Sequence, residues 1–184
     1  MNYDAFSHGQ IKSKLWLCEQ IEPYLENANV IILGSWYNIL AFMMLTRCQH
    51  KYNQITGIDL DQSCAPIANK LCDAWIVDQY DAKVKNVHGF ADNADYFGVS
   101  LVINCSAEHF TDQSWFDKIP AGMLVCIQSS NMTDPAAPWL ITNPSPTLAS
   151  FISKYNLTTT YMADTMRIQY DQWGYDRYMI IGIK

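Results

Sequence analysis

Val30-Ile-Ile-Leu33-Gly34-Ser35-Trp36-Tyr37 and Ile55-Thr-Gly57-Ile-Asp59-Leu60-Asp61 decide how this chain folds. Each is a short, β-branched apolar run that stops at a residue suited to a turn, glycine in the first and aspartate in the second. Residues 39–48 between them read as a helix. After the second run, residues 63–75 place Ile67, Ala68, Leu71, Cys72 and Trp75 at helical spacing. Strands apolar on both faces that alternate with helices form a parallel sheet covered by helices.

Outward from this pair the pattern continues. Residues 84–88 form a weaker third strand, 100–103 a fourth and 123–127 a fifth. Ahead of them, residues 10–27 carry Ile11, Leu15, Cys18, Ile21 and Leu25 on one helical face. The end of the chain differs: 158–162 and 178–183 are strand-like, and 163–177, with Asp164, Asp171, Gly174 and Asp176, reads as a long hairpin connection. The expected fold is therefore α/β. It is a doubly wound, mostly parallel seven-stranded sheet with helices on both faces and a C-terminal antiparallel hairpin, one domain over residues 1–184.

Composition narrows the partners. Of 184 residues, 49% are hydrophobic and only 16% charged, and the net charge is −6. No three Lys or Arg are adjacent, so a nucleic-acid backbone would meet like charge without a basic track, and no nucleic-acid partner is expected. The longest apolar run, 39–45, falls far below the ~20 residues that span a bilayer, and the first fifteen residues show no signal peptide. No membrane partner is expected. Six dispersed cysteines without a C-x-x-C pair, and four dispersed histidines, read as reduced thiols of a cytoplasmic protein without a zinc site.

Open α/β sheets bind ligands outside the carboxyl ends of their strands. Gly34 there reads either as a tight turn or as a place where backbone approaches a ligand. Asp59, 25 residues further on, reads either as a cap ahead of Ser63 or as the carboxylate that grips ribose hydroxyls. Asp61 shares the capping reading.

The order Gly34 turn, Gly57-Ile-Asp59, Ala91-Asp92, Val102-Ile-Asn104-Cys-Ser-Ala-Glu-His109, Gly122-Met-Leu-Val125 and terminal hairpin resembles a class I S-adenosylmethionine-dependent methyltransferase over residues 10–184. The resemblance implies S-adenosyl-L-methionine as cofactor. It assigns the Gly34-Ser35-Trp36-Tyr37 loop to the methionine part, Asp59 with Leu60 to the ribose side, and Asp92 to the adenine. Asn104 and Cys105 would face the sulfonium. Gln10 or Lys14 would meet the cofactor's carboxylate, or else Ser7 or His8 caps the first helix and the lysines stay solvated.

The family's common loop has several glycines, whereas here Ser35-Trp36-Tyr37-Asn38 follows Gly34. Trp36 or Tyr37 would lie against the sulfonium as a cation–π contact or pack under the loop. Glu108-His109 resembles the Glu-His that follows the fourth strand in many small-molecule methyltransferases. His109 would take a proton from the acceptor, or else orient the backbone behind a helix-start Glu108. Asn104 stands where Pro-Cys cytosine chemistry would need proline, so Cys105 is not read as a nucleophile. Residues 129–146, with four prolines, read as a partial lid lined by Asn131, Met132, Trp139 and Ile141, or as a loop that closes the core edge. The implied activity is methyl transfer to a small molecule or exposed side chain. A non-catalytic cofactor-binding module of the same fold stays open as the alternative. A nicotinamide oxidoreductase lacks its G-x-G-x-x-G.

Overall fold

The computed structural model describes residues 2–47, 52–75, 83–133 and 140–184. The chain divides into two compact units, 1–103 and 104–184. The first holds α1 (His8–Ile21), β1 (Ala28–Leu33), α2 (Ile39–Arg47), β2 (Tyr52–Asp59), α3 (Cys64–Leu71), β3 (Val84–His88) and most of β4 (Leu101–Asn104). The second holds α4 (Ser114–Lys118), β5 (Leu124–Ser130), α5 (Leu148–Lys154), β6 (Thr159–Gln169) and β7 (Gly174–Ile183). The seven strands form one mostly parallel sheet in the order β3-β2-β1-β4-β5-β7-β6, the doubly wound α/β architecture expected from the sequence.

In the first unit β1 pairs parallel with β2 (Val30 opposite Ile55, Leu33 opposite Ile58) and β2 with β3 (Asp59 opposite His88). Every residue of β1 except Asn29 is buried, and α2 buries six of its nine residues. This register sets the turn after Leu33 beside Asp59. The β3–β4 connection, 89–100, carries one 3-10 turn at Ala91–Asn93 and no α-helix. An open cleft of about 890 Å³ lies over that face, lined by Ile31, Thr56, Ile58, Val87, Phe90 and Phe97 among others.

The second unit is organised around aromatic rings. Tyr155 meets Trp115, Phe116 and Phe151 at 5.7, 5.1 and 5.4 Å between ring centres, and Phe151 stacks on Tyr178 of β7 at 6.1 Å. α5 opens with a capping box in which Thr147 and Ser150 satisfy each other's backbone N–H groups. β7 runs antiparallel to both β5 and β6.

Several boundaries differ from the expectation. The hairpin connection is residues 170–173, not 163–177, because Asp164, Arg167 and Asp176 lie within strands. β6 is an edge strand with exposed side chains, where charges stay hydrated, and Arg167 faces Asp176 across the ladder at 3.0 Å. The first helix ends at Ile21, where a 3-10 turn containing Pro23 takes over. The helix expected over 63–75 stops at Leu71, followed by a 3-10 turn at Asp73–Trp75. β5 continues through Ser130, both serines buried, so the proline-rich loop begins at 131. The end of the second helix at Cys48, and Trp139 of the loop, lie outside the described residues. Among the described residues no helix is long and apolar enough to cross a membrane, and no three His, Cys, Asp or Glu side chains gather as a metal site.

Candidate functional site

The β1–α2 loop winds through three left-handed residues, Gly34 (φ 62°), Trp36 (φ 51°) and Asn38 (φ 53°). Glycine adopts that conformation without cost. A tryptophan does not, so the surroundings must hold it. They do so from β2. The Trp36 N–H donates to Asp59 Oδ2 at 2.6 Å, and the Ser35 N–H to the Ile58 carbonyl at 3.0 Å. Asp59 Oδ1 accepts the Asp61 N–H at 2.9 Å. Asp61 in turn accepts from the Ser63 N–H at 2.8 Å ahead of α3, and hydrogen bonds from Ser63 hold its pKa below the usual carboxylate range. Asp61 thus orders the approach to α3, and Asp59 holds the loop.

Gly57 makes the close approach possible. A Cβ there would stand 2.4 Å from Asn38 Nδ2 and 2.9 Å from Ser35 Oγ. Asn38 is fully buried and starts an amide chain: its Nδ2 donates to Asn86 Oδ1, and Asn86 Nδ2 to Asn69 Oδ1, each at 2.7 Å. Sequence reasoning passed over this chain, because isolated asparagines read as loop residues. Tyr37 is buried, stacks on Trp36 at 5.1 Å, and accepts the Asn2 N–H on its hydroxyl at 2.9 Å, which brings the N-terminal segment onto the loop. On α1 the buried Lys14 ammonium donates to Gln10 Oε1. Leu60 is 57% exposed beside Asp59. Asp92 is exposed in the 3-10 turn after β3, and its charge adds to burial in pushing the Tyr96 hydroxyl up to about 12. Burial, then the charges of Asp59 and Asp61, push the Cys64 thiol to about 12 as well.

Does this geometry accept an adenosyl group? Each Asp59 oxygen receives one of the backbone bonds above, and a carboxylate oxygen has two acceptor positions. One position per oxygen is left, the requirement for a vicinal diol. The residues present fit the group.

In the second unit, Asn104 is fully buried at the end of β4. Its Oδ1 accepts the Ser106 N–H at 3.0 Å, and its Nδ2 has no partner among the described residues. Glu108 is buried and forms an ion pair with the equally buried Arg177 of β7, whose other arm donates to the Cys105 carbonyl. Burial, the largest single influence, opposes the Arg177 charge, but Glu108 together with Cys105 and Tyr175 outweighs it and raises the pKa. The Ser130 hydroxyl donates to the same Glu108 oxygen at 3.4 Å. His109 is exposed, with Nδ1 against the Leu140 carbonyl. Of the loop residues, Asn131 exchanges hydrogen bonds with Asp176, and Met132 and Ile141 are half-buried. Arg177 and Ser130 were not anticipated. An arginine at the head of Tyr178-Met-Ile-Ile was the available signal, since a charge entering a buried strand requires a partner.

No family model and no curated protein sequence matches this chain. Solved structures do. YcgJ from Bacillus subtilis matches 94% of this chain and 98% of its own, with a TM-score of 0.67 and 12% identity. Phosphoethanolamine N-methyltransferase 2 of Haemonchus contortus, in complex with S-adenosyl-L-methionine, matches 94% of this chain and 52% of its own at TM-score 0.67 and 10% identity. A SAM dependent methyltransferase from Aquifex aeolicus matches 92% and 88% at TM-score 0.60 and 8% identity. The fold is that of the class I methyltransferases. In this chain the loop after β1 has a single glycine and reaches its left-handed turns through Gly34, Trp36 and Asn38.

Proposed function

We propose that this protein is a cytoplasmic methyltransferase that binds S-adenosyl-L-methionine and methylates a small molecule or an exposed side chain. One observation carries the reading: Asp59 is fixed by the Trp36 and Asp61 amides with one acceptor position left on each oxygen. Asp59 would hold the ribose diol, with Leu60 beside it and Asp92 towards the adenine. The loop of Gly34, Ser35, Trp36 and Tyr37 would hold the methionine part, and the Gln10–Lys14 pair its carboxylate. Asn104 and Cys105 would meet the sulfonium end. The bound cofactor supplies an already activated methyl group, so the chain's remaining task is alignment and proton removal.

His109 suits proton removal. A carbonyl only accepts, so Nδ1 carries the proton towards Leu140 and Nε2 keeps a lone pair for an acceptor hydroxyl or amine. Glu108 is committed to Arg177 and acts through position. The small-acceptor reading rests on the net charge of −6 and on the absence of adjacent basic residues. Calorimetry with S-adenosylmethionine, its demethylated product and NAD tests the cofactor, and labelled donor with a metabolite extract tests transfer. Preference for NAD sinks the reading. Tight binding without any labelled product favours a binding module.

A further inference from the structure

The segment from Asn104 to Glu108 is held from outside at Cys105 and Glu108, and at both places a bond comes from one side chain. Arg177 reaches from β7 to the Cys105 carbonyl with one arm and to Glu108 with the other. The Ser106 N–H is bound by Asn104, and the Glu108 carbonyl accepts the Thr142 and Asn143 N–H groups at 3.0 and 2.9 Å. Desolvating a guanidinium and a carboxylate this deeply is costly, and a well-packed apolar pair of similar volume would serve stability as well or better. The pair therefore calls for a purpose other than stability. What it holds still is the backbone from Cys105 to Glu108, which joins Asn104, whose buried Nδ2 has no partner among the described residues, to His109.

We propose that Arg177 is a positioning residue for methyl transfer. It locks the 104–108 strap so that Asn104 Nδ2 and His109 are presented in one geometry. The proposal rests on the methyltransferase reading and adds a residue that neither the fold nor the sequence assigned. Arginine is required, because its planar fork spans a carbonyl and a carboxylate together, whereas a lysine ammonium is a single point donor. A misplacement of about 1 Å at a reacting centre costs about a hundredfold in rate.

Two variants test it, Arg177→Lys and the double variant Arg177→Met with Glu108→Met, which leaves no buried charge unpaired. Three readouts are taken: S-adenosylmethionine affinity by calorimetry, kcat and KM for the acceptor, and amide hydrogen exchange of residues 106–109 against β1. The expected result in both is cofactor affinity within twofold of the parent and kcat lowered at least tenfold with KM little changed. Exchange at 106–109 should be at least tenfold faster while β1 is unaltered. A double variant that melts like the parent yet stays slow separates positioning from stability. Parent-like kcat, or parent-like exchange at 106–109, in either folded variant overturns the proposal. If the parent transfers no methyl group to any acceptor, the functional reading fails, and the exchange arm alone decides whether Arg177 holds the strap.

Discussion

Replacing Gly57 by alanine adds one methyl group at the point where β2 supports the β1–α2 loop. The new Cβ would lie 2.4 Å from Asn38 Nδ2, 2.8 Å from Asn38 Cγ and 2.9 Å from Ser35 Oγ, all inside van der Waals contact. Neither neighbour has room to retreat, since Asn38 is fully buried and bonded to Asn86, and Ser35 is buried as well. Overpacking of this kind costs about 1–3 kcal/mol, and loss of the Asn38–Asn86 hydrogen bond about 1 kcal/mol more. Alanine in place of glycine restricts the unfolded chain and returns about 0.4–1 kcal/mol. The net expectation is destabilisation by about 1–3.6 kcal/mol, from the sum of these overpacking, hydrogen-bond and chain-entropy effects. The loop must also shift, and the Trp36 amide with it, so Asp59 loses its fixed orientation. Urea unfolding measures the first effect and calorimetric titration with S-adenosylmethionine the second. An alanine variant as stable as the parent, with unchanged cofactor affinity, would refute the claim that Gly57 is there for the loop's approach.

Asp59→Ala removes the acceptor of the Trp36 amide and both positions left for a diol, and should weaken S-adenosylmethionine by about 2–4 kcal/mol in calorimetry; parent-like affinity would remove Asp59 from the site. His109→Ala should lower kcat by about 10²–10⁴-fold, the usual contribution of a general base, with cofactor affinity unchanged; undiminished product formation would leave an enzyme without this base. Tyr96 has a pKa raised from 10.0 to about 12 by burial and then by Asp92. The unfolded chain therefore gives up this proton first, and stability falls as pH rises from about 10 to about 12. Tyr96→Phe should flatten that decline at little cost near neutrality, because the buried hydroxyl has no hydrogen-bond partner among the described residues; melts across the alkaline range would show an unchanged slope if the assignment is wrong.

The fold was legible because its signal is redundant. Five apolar runs, with helices after the first two, specify a parallel sheet even when boundaries are off by several residues, and β3 was legible to the residue. The hairpin was misjudged because edge strands tolerate the same Asp, Arg and Gln that mark loops, so Asp164 and Arg167 pointed the wrong way. For the site, a glycine turn and an acid at the ends of adjacent strands were readable, since topology alone brings them together. The Asn38–Asn86–Asn69 chain and the Arg177–Glu108 pair were not. Each joins residues distant in sequence whose types are common on surfaces, and only the register of β2 with β3, or the reach of β7, makes them partners.

The loop after β1 holds three left-handed residues, of which Gly34 alone is glycine. A left-handed residue other than glycine costs roughly 1–2 kcal/mol, with asparagine at the lower end. Against this, a hydrogen bond to a carboxylate contributes about 1.5–3 kcal/mol, and the Trp36 amide makes one to Asp59 while its ring stacks on Tyr37. The two sides balance only while Asp59 is in place, so the acid stabilises the loop before any ligand arrives. A glycine-rich loop would be cheap to bend and would have to be ordered on binding. This one has met the ordering cost during folding, which leaves more of the intrinsic interaction energy for affinity. The acid proposed to grip the ribose is thus also the acid that shapes the loop, and the proposed role would use lone pairs that the Trp36 and Asp61 amides leave open.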